Sequence, residues 1–315
     1  MNTERIQSAC RQFLNTEADA INTLGEGHIN DTFCIDCRGK AYILQCVQGG
    51  MDIRKLEYNY ALYSGVCDRF GWRYPQWLKD REGQYYYMDA QGGRWRMYPF
   101  LESDSLKMPL SDGELYACGQ GLAGMHAVFA KLPGKPRAAY PLLHDLKHYY
   151  TEYLRLLQGG GLRPEMRDGR LEEKIAAGID KMLATEALVK AGRQAVVHGD
   201  AKVANLLFQN GSMVGCIDMD TLMTGAPLED VADCMRSCCL KDGLLQNEMA
   251  HALTEGYASA LGKGETKAVR EKLLAVYDKI CFELGLRYYT DAAAGGGCFK
   301  EKYPGYRLQR AGELL

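Results

Sequence analysis

The sequence contains no apolar run reaching the roughly 18 residues of a membrane-spanning helix, which argues against a helical integral membrane protein. It also lacks the apolar core of a secretory signal. Met1-Asn2-Thr3-Glu4-Arg5 leads straight into an amphipathic stretch, so the expected address is the cytoplasm. An excess of one charge sign is missing too. Lys plus Arg (38) nearly balances Asp plus Glu (40), for a formal net charge of −2. That removes the electrostatic reason to expect nucleic acid or an acidic membrane as partner. There is no internal repeat and no low-complexity segment. Cysteine, by contrast, is plentiful, with twelve in the chain. Cys34 and Cys37 form a lone CxxC, without a second pair or a His pair at zinc-finger spacing. The others, such as Cys118, Cys216 and Cys281, stand among apolar neighbours. Reduced thiols packing as small hydrophobes are expected, rather than disulfides or a metal site.

The 315 residues are 47% hydrophobic and 25% charged, which suits a globular chain of two lobes. Thr3 to Leu14 reads as a helix, with Thr3 as N-cap and Ile6, Cys10, Phe13 and Leu14 on one face. Strands are expected on the approach to Gly25–Asn30, at Thr32–Ile35 and at Ala41–Val47, the last two joined by Arg38-Gly39-Lys40. A helix over Ile53–Cys67 follows, then strands at Gln84–Met88 and Trp95–Tyr98. After Ser103 the spacing turns helical, over Leu115–Phe129, His144–Leu157, Leu171–Lys190 and Asn247–Ala260. The expectation is an α+β protein: a β-rich lobe over residues 1–100 and a mainly helical lobe over residues 101–315, with a cleft between them.

The chemistry concentrates between Val196 and Arg236. His198-Gly199-Asp200-Ala201-Lys202-Val203-Ala204-Asn205 precedes a short strand, Asn210-Gly211 makes a type I′ turn, and Met213 to Ile217 returns. With Asn210 and Gly211 as the loop, Gln209 faces Ser212 and Asn205 faces Cys216. Asn205 and Asp218 then emerge at the same end of the ribbon, and Asp200 lies on the approach loop. Two carboxylates and an amide oxygen converge, a hard-oxygen set suited to Mg²⁺ with phosphate oxygens. Phosphoryl transfer needs such a set, with a carboxylate to orient the attacking hydroxyl and a cation to steady the transferring group. Lys202 is a candidate for that cation, whereas His198 is read as a buttress of the loop.

HGDxxxxN followed by Ile217-Asp218-Met219-Asp220 resembles the aminoglycoside phosphotransferase and choline kinase superfamily, relatives of protein kinases. The resemblance implies a protein-kinase-like two-lobed fold, residues 1–100 as the nucleotide-binding lobe and 101–315 as the catalytic and substrate-binding lobe, with Asp200 as catalytic base and Asn205 and Asp218 as metal ligands. Asp220 matches a second acid often found there. Gly25–Thr32, Tyr42-Ile43-Leu44-Gln45, Ile217–Thr221, Phe282–Asp291 and Phe299–Pro304 are similar to the N-acetylhexosamine 1-kinases. That similarity implies transfer of the γ-phosphoryl of ATP to the anomeric hydroxyl of an N-acetylhexosamine, with Mg²⁺.

Other residues have supporting parts in this reading. Gly25 and Gly27 would let the backbone close over ATP phosphates. The resemblance carries His28 and Asn30 to sugar or phosphates. Gln45 stands where protein kinases have a third-strand Lys. Met97, Tyr98 and Phe100, in the stretch joining the two lobes, are candidates to contact adenine. Arg287, Tyr288 and Asp291 are polar in an otherwise apolar helix, and are read as sugar-binding or as an Arg287–Asp291 bridge. Asp230, Asp233 and Arg236 resemble a family stretch that braces the catalytic loop. His144-Asp145 also resembles a family segment, and a helix N-cap explains Asp145 as well. A monomer or weak homodimer acting on a sugar and ATP is the expectation. The rivals are a kinase for an amino alcohol, amino acid or aminoglycoside, and a nucleotide-binding pseudokinase.

Overall fold

A computed structural model describes residues 2–24, 30–47, 51–104, 106, 108–261 and 266–315. Gly25, Gly27 and His28 lie outside the described residues. The chain forms two compact units, Met1–Ser64 with Tyr74–Glu102, and Gly65–Arg73 with Ser103–Leu315.

The first unit contains α1 (Thr3–Leu14), β1 (Ala20–Leu24), β2 (Asp31–Cys37), β3 (Lys40–Val47), most of α2 (Ile53–Phe70), β4 (Tyr87–Met88) and β5 (Arg94–Pro99). Asn2, not Thr3, caps α1, its side chain accepting the Glu4 N–H at 2.9 Å. Ile6, Ala9, Cys10 and Phe13 form its buried face. The strands make one antiparallel sheet in the order β1-β2-β3-β5-β4. Arg38 and Gly39, both at positive φ, close the β2–β3 hairpin in the primed-turn manner. Phe33, Ile35, Leu44, Trp95 and Met97 pack with α1 as the core. The strand expected from Gln84 shrinks to Tyr87–Met88. Tyr85 and Tyr86 are drawn instead onto Trp77, whose ring stacks on Tyr60 at 4.4 Å.

The second unit is mainly helical. Its elements are α3 (Asp112–Phe129), α4 (Leu146–Gln158), α5 (Gly169–Ala191), β6 (Ala195–Val197), β7 (Leu206–Gln209), β8 (Ser212–Cys216), β9 (Met223–Gly225), α6 (Pro227–Cys239), β10 (Leu240–Lys241), β11 (Leu244–Leu245), α7 (Asn247–Ser259), α8 (Thr266–Ala294) and α9 (Tyr306–Leu314). A capping box between Ser111 and Glu114 starts α3. α4 begins two residues later than its apolar spacing suggests, because His144 has φ 60° and Asp145 caps the helix through the His148 N–H. α3 and α7 cross at backbone contact. A Cβ on Gly119 would overlap the Leu253 carbonyl, and one on Gly256 the Tyr116 carbonyl.

Residues 65–73 join the second unit because Arg73 hydrogen-bonds along β8, donating to Val214 O at 2.9 Å and accepting from Cys216 N at 3.0 Å. Gly215 permits that approach, since a side chain there would overlap the Arg73 carbonyl. The result is a mixed α+β protein with a small antiparallel sheet and a larger helical part. Among the described residues, no helix is long and apolar enough to cross a membrane.

Candidate active site

The loop that leaves β6 is held by a series of backbone hydrogen bonds. Asp230, on the first turn of α6, accepts the N–H of His198 at 2.8 Å and that of Gly199 at 2.9 Å. Thr221 Oγ1 donates to the His198 carbonyl at 2.8 Å. His144 Nε2 meets the Gly199 carbonyl at 2.9 Å, and the Asp200 N–H donates to His198 Nδ1 at 3.3 Å. The Asp200 carbonyl in turn accepts from Asn205 Nδ2 at 2.8 Å. Gly199 has φ 82°, and a Cβ would press on the Thr221 carbonyl, so the turn before Asp200 requires glycine. His198, fully buried, spans the loop, its Nε2 facing the Ile217 carbonyl at 2.8 Å. The buttress read from sequence is therefore visible atom by atom.

Asp200 is held by two donors. Lys202 Nζ lies 2.5 Å from Oδ2, and Asn205 Nδ2 donates to the same oxygen at 3.0 Å. The two charged side chains are 29% and 34% exposed, so the pair is neither sealed nor fully wet. Burial works against the Asp200 charge, but the Lys202 ammonium outweighs it, with His198 and Arg236 adding, and the carboxyl is held below its ordinary range. Burial likewise opposes the Lys202 charge, yet Asp200, Asp218 and Asp233 raise its pKa. The carboxylate is thus ionised at neutral pH and presented on a rigid loop.

The β7–β8 hairpin brings Asp218 to the same place, with one departure from the expected register. Asn210 and Gly211 have φ 53° and 71°, and Gln209 does face Ser212. A bulge between Leu207 and Phe208 then shifts the pairing, so Leu206, not Asn205, faces Cys216. Asn205 sits in a 3-10 turn instead, where its carbonyl accepts the Ile217 N–H at 2.8 Å. That bond places Asp218 one residue from Asn205's backbone. Asp218 itself has φ 59° and ψ 51°, a left-handed conformation uncommon for a non-glycine residue and frequent at functional turns. Among the described residues, no three His, Cys, Asp or Glu side chains form a preformed metal cage. The set Asn205, Asp218 and Asp220 is therefore one amide and two acids. This composition fits a hard cation completed by phosphate oxygens rather than an all-protein site. The amide nitrogen of Asn205 is committed to Asp200, which leaves Oδ1 as the atom for a cation. Asp220 is 5% exposed, in the 3-10 turn after Asp218.

Several residues read from sequence as ligand contacts have other employment. The Met97 side chain lies in the sheet core and its carbonyl accepts the Leu78 N–H at 2.8 Å. The Phe100 N–H donates to Ala41 at 2.9 Å. Each of these two groups thus has a partner within the first unit. Tyr98 is buried, and the Phe100 ring is exposed. Asn30 is buried at the start of β2. Gln45 accepts at 2.9 Å from Arg96 Nε on the facing strand, so a cation does stand beside the third-strand position. Tyr288 is also a packing residue, its ring stacked on Phe299 at 4.0 Å. Asp291 does not bridge to Arg287. It pairs with Arg307 at 3.0 Å and accepts the N–H groups of Cys298 and Phe299, which anchors the loop after α8. Arg287 lies over the Tyr149 and Phe299 rings, at 4.7 and 5.5 Å to their centroids.

The sequence marks His144-Asp145 only as a segment resembling the family, and the structure shows what His144 contacts. Its Nδ1 is 3.3 Å from Glu283 Oε1, and Glu283, Lys279 and Glu229 continue inward as a buried ionic set. Lys279 is fully buried and also donates to the His144 carbonyl at 2.9 Å. The available signal was four charged or titratable residues, three of them on helices that are otherwise apolar at those faces. Apolar spacing assigned His144 to the start of α4, which hid its place outside the helix.

The geometry of the loop agrees with comparison to known proteins. The profile described as "Phosphotransferase enzyme family" (APH) matches residues 22–265. The chain belongs to that family. It is similar to a homoserine kinase of Hyphomonas neptunium, 21% identical over 297 residues, covering 91% of this chain and 87% of that protein. Among solved structures, the microcompartment-associated aminopropanol kinase superposes with a TM-score of 0.71 at 15% identity, covering 99% of this chain and 94% of the other. The amicoumacin kinase hAmiN, in complex with AMP-PNP, Ca²⁺ and amicoumacin, gives 0.64 at 11% identity, covering 100% and 93%. At these identities the structures show the fold, which is that of small-molecule kinases. The chain is a phosphotransferase-family protein with that kinase-like fold.

Proposed function

We propose that this phosphotransferase moves the γ-phosphoryl group of ATP to a hydroxyl of a small-molecule acceptor, with Asp200 as the base. The observation that carries the reading is the fixed Asp200 carboxylate, hydrogen-bonded by Asn205 and Lys202 on a loop whose His198, Gly199 and Asp200 backbone groups are engaged. Asp200 accepts the proton of the attacking hydroxyl, and its depressed pKa keeps it ionised and ready at neutral pH. Asn205, Asp218 and Asp220 would hold Mg²⁺, which neutralises charge on the phosphates when bound. Lys202, released from Asp200 as the acceptor arrives, supplies the positive charge near the transferring group. The anomeric hydroxyl of an N-acetylhexosamine, of the GlcNAc or GalNAc kind, is the proposed acceptor, on the segments from Gly25 to Pro304. Arg287 is its proposed anchor, a half-buried cation on two aromatic faces.

A second reading of the acceptor is an amino alcohol or hydroxy amino acid. The similarity to a homoserine kinase and to an aminopropanol kinase favours it. ADP release from Mg²⁺–ATP, measured across N-acetylhexosamines, other sugars, aminoglycosides, aminopropanol and homoserine, separates the two. Release dependent on an N-acetylhexosamine supports the first. Release with homoserine or aminopropanol alone moves the acceptor to the second. ATP binding without turnover on any acceptor overturns phosphoryl transfer itself.

A further inference from the structure

The peptide bond between Gly199 and Asp200 is held by a histidine at each end. Its N–H donates to His198 Nδ1 at 3.3 Å, and its carbonyl faces His144 Nε2 at 2.9 Å. The other nitrogen of His144 faces the Glu283 carboxylate at 3.3 Å. A carbonyl oxygen and an ionised carboxylate only accept, so both ring nitrogens are called on to donate, which an imidazole does only when protonated. The charges around it agree. Lys279 on α8 bonds Glu283 Oε2 at 2.8 Å and Glu229 Oε1 on α6 at 3.0 Å. All four groups are buried or nearly so, and one Lys against two Glu leaves an uncompensated negative charge that a protonated His144 cancels. Arg287, one turn beyond Glu283 on α8, also favours the Glu283 carboxylate.

We propose that His144 is a positioning residue for catalysis, donating at once to Glu283 and to the Gly199 carbonyl so that the peptide carrying Asp200 is fixed from the α8 side. This inference rests on the assignment of Asp200 as base. Asp230 holds the N–H side of the loop and His144 the carbonyl side, so Asp200 is set by both. Burial draws the His144 pKa down, but Glu283 and Glu229 outweigh it, Lys279 opposing, and lift it to about 9. Above that pH the ring loses one donor, and the hold on the peptide or on Glu283 is lost.

The test uses the full chain with its best acceptor, following kcat and KM for ATP from pH 6 to pH 10, alongside an NMR titration of the His144 ring. The wild type is expected to lose kcat as pH rises through about 9, with the ring titrating over the same range and KM for ATP steady. Glu283→Gln keeps Lys279 balanced by Glu229, so it is expected to fold. It should move both the ring titration and the alkaline loss of kcat downward by about one pH unit or more. His144→Gln retains one amide donor, and should show lower kcat without the alkaline limb. An alkaline limb unmoved in Glu283→Gln, or a full kcat in His144→Gln, overturns the proposal. A wild type inactive on every acceptor, with His144 still titrating near 9, overturns the assignment of phosphoryl transfer and with it the catalytic role of His144.

Discussion

Asn205 donates to Asp200 twice, to its carbonyl at 2.8 Å and to its Oδ2 at 3.0 Å. A residue expected only to hold a metal therefore also sets the orientation of the base. Its replacement should disturb both roles at once. Asn205→Ala is expected to raise the Mg²⁺ concentration for half-maximal rate on the order of 10-fold or more, and to lower kcat at saturating metal. Asn205→Asp puts a carboxylate against Asp200 Oδ2 in place of a donor. Like charge raises the Asp200 pKa, so the acid limb of the kcat profile should move to higher pH. A metal-titration series and a pH profile of the two variants read these effects separately. An acid limb that stays put in Asn205→Asp would contradict the contact.

Asp200→Asn removes the proton acceptor while keeping size and most of the hydrogen bonding. The expected outcome is a loss in kcat on the order of 10²–10⁴-fold, with ATP affinity largely intact by equilibrium binding. Turnover near the wild-type level would withdraw Asp200 from the role of base.

Local spacing made part of this site legible and obscured the rest. The gap from Asp200 to Asn205 and the Asn210-Gly211 turn are short-range features, and both appear in the structure where the sequence puts them. The bulge in β7–β8 was hidden, as was the pairing of β8 with Arg73, a residue far away in sequence that lies beside Gly215. The protein partners of Tyr288 and Asp291 were equally illegible. Phe299, in the loop after α8, and Arg307, on α9, lie beyond the helix, and spacing within α8 does not show them. A polar residue in an apolar helix signals that a partner exists, not whether that partner is ligand or protein. For His144, apolar spacing continues across it and assigns it to the helix, while its left-handed φ takes it out.

The ionic set around His144 also gives the chain a pH-dependent stability. Its folded-state pKa, about 9, is raised above the ordinary value near 6.5 of an unfolded chain. The stabilisation it brings is therefore fully present below about pH 6.5 and is lost as pH rises through 9. Thermal melts of the wild type should show Tm falling across that window. His144→Gln should be flatter over the same range, and equal slopes in the two proteins would remove the residue from the linkage.

The crossing of α3 and α7 offers a test of the fold that is independent of the chemistry. Gly119 and Gly256 let the two helix backbones touch, and an added methyl at either would overlap a carbonyl of the other helix. Such an overlap is with main chain, which cannot swing aside as a side chain can, so the helices must separate. Separation also strains the His126–Asp230 contact at 3.0 Å, since His126 is on α3 and its ring also meets Tyr257 of α7 at 3.2 Å. Gly256→Ala should therefore cost about 1–3 kcal/mol in denaturant unfolding, despite the better helix propensity of alanine. Because Asp230 also holds the N–H groups of His198 and Gly199, the same variant should lose some kcat with little change in KM for ATP. Unchanged stability in Gly256→Ala would mean that the helices do not touch at backbone distance.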